Sequence, residues 1–252
     1  MSKILDKFKE KKKLIFIPFF VAGYPSFFFL EDFLLKYKDK IDILELGIPF
    51  SDPIADGPIL EEVNYQAIKK GVNFENTINW LKEKKIPSQI TTILLLYFNL
   101  IYQNLEKNLQ RIKEVGIEGL VIPDLPFEEA ESFLELFKSY NLDLIFFLSP
   151  TTNKDRKEKI LKLAESFIYC ISVKGVTGER EELSSDGIRF IKGIREKSNK
   201  PLVWGFGLSR REHIRALKGL VDGVIVGSAF AKRILEGKDF ESYFLDLFEE
   251  TL

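Results

Sequence analysis

Leu14-Ile15-Phe16-Ile17-Pro18-Phe19-Phe20-Val21-Ala22-Gly23-Tyr24-Pro25 decides between two architectures. Up to Phe20 the run is apolar, aromatic and β-branched, as expected of a strand buried on both faces. An open doubly wound sheet that binds a dinucleotide would follow its first strand with G-x-G-x-x-G, and Val21-Ala22-Gly23-Tyr24-Pro25 lacks that pattern. The same region mimics a signal peptide, because positions 14–30 are nearly all apolar after a basic start. Pro18, Gly23, Pro25 and Ser26 interrupt it, and it is short for a membrane span. A strand, a turn and the start of a buried helix are expected instead.

Working outward, short apolar runs alternate with longer amphipathic ones. Eight strands are expected, at 14–20, 41–46, 89–97, 119–122, 143–148, 167–172, 201–204 and 223–226. Helical stretches follow them at 31–38, 74–84, 105–115, 127–140, 154–164, 186–197, 210–217 and 228–235. Extra helices are expected at 2–12, 60–70 and 240–248. Ser26 and Asn73 are placed to cap helix N-termini, since short polar side chains satisfy orphan amides. Eight βα units in 252 residues predict an α/β fold, a closed (β/α)8 TIM barrel. No linker or break in composition divides the chain, so residues 1–252 are expected to form a single catalytic domain.

Composition narrows the chemistry. Charged residues make up 30% of the chain, yet the net charge is -1, which gives no reason to expect a nucleic-acid or anionic-membrane partner. The run Lys11-Lys12-Lys13 reads as ordinary surface. The one cysteine, Cys170, excludes an internal disulfide and fits a reducing cytoplasm. The one histidine, His213, leaves no material for a multi-histidine metal site or a Ser-His-Asp triad, so no metal is expected. His213 itself reads as a surface helix residue.

In such a barrel the chemistry sits where strands end. The second strand ends Leu44-Glu45-Leu46-Gly47. Side chains alternate along a strand, so if the leucines meet the helices, Glu45 points into the barrel near its mouth. Burial there would raise its pKa and make it a proton donor; the plainer alternative is a hydrogen-bonded interior glutamate. The loop Ile48-Pro49-Phe50-Ser51-Asp52-Pro53-Ile54-Ala55-Asp56-Gly57-Pro58 is stiffened by prolines and presents Asp52 and Asp56. Each is a candidate turn former or cap, and Asp56 is the less obvious one. Three later turns, Gly175-Val176-Thr177-Gly178, Gly205-Phe206-Gly207-Leu208-Ser209 and Gly227-Ser228, let backbone amides approach an anion. Each alone is a tight turn; together, with a helix start at Ser228, they predict a phosphate site.

The stretch from Leu44 to Gly57 resembles the signature of the tryptophan synthase alpha chain family. The resemblance runs the length of the chain through Pro18-Phe19-Phe20-Val21-Ala22-Gly23-Tyr24-Pro25, Tyr97-Phe98-Asn99, Pro123-Asp124-Leu125-Pro126 and the three glycine turns. It implies cleavage of indole-3-glycerol phosphate to indole and glyceraldehyde 3-phosphate, a retro-aldol reaction of tryptophan biosynthesis. It also implies a cytoplasmic αββα complex in which indole passes to a beta chain. Pyridoxal phosphate belongs to that beta chain, so no cofactor is expected in this one.

By the resemblance, Glu45 matches the acid/base glutamate and Asp56 the aspartate that meets the indole N–H. Phe19, Leu95, Phe206 and Ile225 would wall the indole pocket. Tyr169 matches a tyrosine near the glutamate, with core packing as its alternative role. Thr177 would close over the site, and Gly178, Gly207, Gly227 and Ser228 would hold the phosphate. The chain departs from the family pattern in having Val21 where threonine is common, Glu61 where glutamine is common, and Lys174 where a small residue is expected. A stand-alone indole-releasing lyase, a related phosphate-binding barrel isomerase and a non-catalytic scaffold are the competing expectations.

Overall fold

The structure, a computed structural model, describes residues 3–10, 13–171 and 185–252. Its strands are β1 (Ile15–Val21), β2 (Leu44–Gly47), β3 (Thr92–Leu95), β4 (Gly119–Val121), β5 (Asp143–Leu148), β6 (Ile168–Cys170), β7 (Leu202–Trp204) and β8 (Gly223–Val226). Each pairs in parallel with the next, and β8 returns to β1 with Ile15 opposite Gly223, closing an eight-stranded barrel. The expected (β/α)8 fold is therefore present.

The alternation in β1 shows how the sequence builds the layers. Phe16 and Phe20 point outward and pack on Phe230 and Phe33 of the surrounding helices, with ring centroids 6.3 and 5.4 Å away. Phe240 and Phe244 complete this aromatic layer. Phe19, between them, points inward to the barrel mouth. Burying each such ring contributes about 1.5–3 kcal/mol relative to leaving it in water.

Local chemistry sets the helix ends. Ser26 accepts a hydrogen bond from the Phe29 amide at 3.1 Å and starts the helix Phe27–Tyr37. That start precedes the expected one at 31, because the aromatic run after Ser26 is helix rather than turn. Asn73 and Asn76 exchange side-chain-to-backbone hydrogen bonds of 3.1 and 2.9 Å, a reciprocal cap on the helix Phe74–Lys84. The strand expected at 89–97 shortens to β3, since Pro87 lies in a short helix, Ile86–Gln89. The helix expected at 127–140 is broken into Phe127–Ala130, a 3-10 turn Glu131–Phe133, and Leu134–Ser139.

His213 corrects the sequence reading. It is 2% exposed, and its Nδ1 accepts a hydrogen bond from the Ser209 amide at 3.2 Å. Its charged neighbours suggested a surface, but the imidazole turns inward and satisfies an amide just before its helix, Arg211–Leu217. On the outer side of that helix, buried Glu250 accepts hydrogen bonds from Arg211 and Arg215, at 3.1 and 2.9 Å, and pairs with Lys218 at 3.2 Å. This joins the helix to Phe240–Thr251.

Candidate active site

Glu45 stands at the centre of β2, in register with Phe19 of β1 and Ile93 of β3. It is fully buried, and neither carboxylate oxygen has a hydrogen-bond partner among the described residues. Burial pushes its pKa up to about 8, the nearby Asp56 carboxylate adds to the rise, and the Tyr169 hydroxyl beside it opposes the rise.

Asp56 comes from the proline-rich loop after β2. The loop is held at several points: the Asp56 amide donates to the Pro53 carbonyl at 2.9 Å, and the Ala55 amide donates to the Tyr97 hydroxyl at 3.2 Å. The Tyr97 ring stacks on Phe50 at 4.7 Å. Asn64 joins both ends of the loop. Its Nδ2 donates to Asp56 Oδ2 at 3.0 Å, and its Oδ1 accepts from the Phe50 amide at 3.2 Å. Burial raises the Asp56 pKa to about 7, against the pull of the Asn64 bond. Asp52, by contrast, is exposed and accepts a hydrogen bond from the Ser51 hydroxyl at 2.6 Å, as a turn residue does.

Asp56 lines a cleft of about 270 Å³ at the C-terminal ends of the strands. Phe19, Leu95, Tyr169, Phe206, Gly207, Ile225, Gly227 and Ser228 line it too, so the structure brings these side chains and turns together. Glu45 lies beneath this lining. Thr177 and Gly178 lie outside the described residues.

Two glycines shape the walls. A Cβ at Gly227 would stand 2.8 Å from the Phe19 ring, and one at Gly205 would stand 2.4 Å from the Tyr169 ring. Glycine at these positions lets both rings lie flat against the strand ends. Gly207 adopts φ +69, a left-handed conformation natural to glycine. Ser228 opens the helix Ser228–Leu235, so its first-turn amides and hydroxyl stand at the cleft edge. None of the described residues lining the cleft is basic. An anion there would be met by backbone amides, a hydroxyl and the helix dipole.

Sequence reasoning missed Phe147, Ile171, Pro123, Leu60 and Leu208 in the lining, and it gave Asn64 no role. Alternation along β5 turns Phe147 inward once Phe146 packs outward on Phe127 at 5.3 Å, a contact that the uniformly apolar run does not disclose. Asn64 has a weaker signal, as a polar residue on the buried face of the helix Pro58–Lys69. Among the described residues no group of three or more His, Cys, Asp or Glu side chains could hold a metal ion.

A closed barrel with two unequally placed carboxylates, an apolar floor and an amide-lined anion site at its mouth defines a class: a barrel enzyme for a phosphorylated, partly apolar substrate. The profile of the tryptophan synthase alpha chain family matches residues 5–250, and the chain belongs to that family. It is 62% identical to the tryptophan synthase alpha chain of Dictyoglomus turgidum over the full length of both. It is 38% identical to that of Methanocaldococcus jannaschii, covering 92% of this chain and 84% of the relative. Among solved structures, it is similar to the tryptophan synthase complex from Pyrococcus furiosus, at 30% identity with a TM-score of 0.83, covering 95% of this chain and 97% of that one. It is also similar to tryptophan synthase of Mycobacterium tuberculosis, at 25% identity with a TM-score of 0.90, covering 99% and 98%.

Proposed function

We propose that Glu45 and Asp56 divide the proton transfers of a carbon–carbon bond cleavage, with indole-3-glycerol phosphate as the substrate. The chain is the lyase subunit of tryptophan biosynthesis that releases indole and glyceraldehyde 3-phosphate, as its family membership gives. The observation that carries the roles is a hydrogen-bonded Asp56 lining the cleft, with Glu45 fully buried near it and against Tyr169, which also lines the cleft. The substrate phosphate binds the turn at Gly207 and the helix start at Gly227 and Ser228. Its indole ring lies among Phe19, Leu95, Phe206 and Ile225, with N1 toward Asp56.

Protonated Glu45 delivers a proton to ring C3 while ionised Asp56 accepts the N1 proton, giving the indolenine. Glu45, now ionised, takes the proton of the side-chain hydroxyl next to C3. The C–C bond breaks as the aldehyde forms, its electrons return to the ring, and N1 regains its proton from Asp56. Tyr169 confines Glu45 and keeps water from it. By the same reading, Thr177 and Gly178 complete the site from the segment after β6. The whole chain, 1–252, acts as one catalytic domain in the cytoplasm, and no helix among the described residues is long and apolar enough to cross a membrane.

A beta chain receives the indole in an αββα assembly and carries the pyridoxal phosphate, so this chain needs no cofactor of its own. The direct test is product analysis: incubation with indole-3-glycerol phosphate should yield indole and glyceraldehyde 3-phosphate in equal amounts. A rearranged substrate and no indole, with or without a beta chain, would instead favour the isomerase reading.

A further inference from the structure

Beside the cleft lies a second cavity of about 200 Å³, of mixed polar and apolar lining, between the loops after β4 and β5. The two cavities share Pro123, Phe147 and Ile171 in their linings. Phe147 is the bulky member of that partition. Phe146 and Leu148 on either side of it face the helices, so Phe147 faces the barrel interior, where its ring packs on Tyr169 at 4.9 Å. The far cavity is lined by Ile122, Leu125, Phe127 and Ile160 on its apolar side, and by Ser149, Thr152 and Arg156, which is paired with Glu128, on its polar side.

Barrel geometry tells which end of a substrate would meet this wall. The phosphate site lies at the ends of β7 and β8, and in a closed eight-stranded ring β4 stands opposite β8, flanked by β3 and β5. A substrate anchored by its phosphate at Ser228, with its ring nitrogen at Asp56, extends its remaining aromatic edge toward Leu95, Pro123 and Phe147. We propose that Phe147 sets the size limit of the aromatic group, and that the cavity behind it takes substituents on the benzo ring once that side chain is shortened. The inference rests on the lyase reading of the cleft.

The test compares wild type, Phe147→Ala and Phe147→Leu. Binding of 3-(indol-3-yl)propyl phosphate, which cannot be cleaved, and of its 5-bromo and 6-bromo derivatives is measured by calorimetry. Indole and bromoindole release from the matching glycerol phosphates is measured beside it. Phe147→Ala should raise the preference for at least one bromo ligand over the parent by roughly tenfold, the low end for one small group gaining or losing its space in a pocket. Phe147→Leu should fall between it and wild type, and it keeps the test open if the alanine variant does not fold. Preferences unchanged in folded variants, or equal losses for parent and bromo ligands, would overturn the wall while leaving the lyase reading intact. A wild type that binds none of the three would overturn the lyase reading, and the wall with it.

Discussion

Asp56 lines the cleft and Glu45 lies buried beneath it, and burial raises the pKa of both by different amounts. Glu45 has burial reinforced by Asp56 and opposed by the Tyr169 hydroxyl, which leaves its pKa at about 8; Asp56 has burial offset by Asn64, which leaves it at about 7. The working state needs Glu45 protonated and Asp56 ionised, so kcat/KM should trace a bell between these values. Asn64→Ala removes a donor that favours the charged Asp56, so its acidic limb should move to higher pH, with a loss in kcat rather than in KM. An unmoved limb would show that Asn64 only packs. Stability follows from the same burial. Between the ordinary carboxyl value of 4.5 and about 8, Glu45 ionises in the unfolded chain but stays protonated in the folded one. The unfolded state then binds fewer protons, and wild-type stability falls as pH rises through that window. Glu45→Gln lacks this slope, so its Tm relative to wild type should climb from pH 4.5 to 8; a flat difference would place an ionised carboxylate in the barrel. Both carboxylates were legible in the sequence because strand alternation and a proline-rich loop constrain them locally. Asn64 acts across a loop and His213 turns inward from a charged stretch, and neither fact is local.

Strands and helices follow the hydrophobic period closely wherever both faces of a strand are covered. β5 and β8 occupy the expected residues, and β1 differs little at its ends. The misjudged boundaries share a cause. Apolar residues such as Phe27 to Phe29, or those following Phe127, pack equally well as strand end, turn or helix, and the choice is made by caps and tertiary packing. Phe147 was missed for a related reason: a run as apolar as β5 does not announce which of its faces looks inward. Where a cap is explicit the element is secure. Asn73→Ala removes the side-chain oxygen that accepts the Asn76 amide and should cost about 1 kcal/mol of stability. Thermal unfolding would show this, with indole release unchanged because neither Asn73 nor Asn76 lines the cleft.

At the scale of the molecule, the barrel supports the site from outside as well as inside. Glu250 is 5% exposed and faces Arg211, Arg215 and Lys218, whose hydrogen bonds hold its carboxyl down at about 2. A pKa held below 4.5 contributes stability above that value, and the contribution is lost as pH falls toward 2. Glu250→Gln should therefore unfold at a lower temperature than wild type at neutral pH, with the gap closing between pH 4.5 and 2. The cations are partly exposed, so added salt should narrow the gap as well. A gap independent of pH would mean that the loss is one of packing alone. The experiment that bears most on the whole reading is indole release from indole-3-glycerol phosphate by wild type and Glu45→Gln side by side, with binding of the uncleavable propyl analogue as the control for folding and substrate affinity. The variant should bind the analogue as wild type does and release indole roughly 10²–10⁴-fold more slowly, the span of a positioned acid/base group. Release within about threefold of wild type, a change too small for such a group, would remove Glu45 from the chemistry and contradict the mechanism.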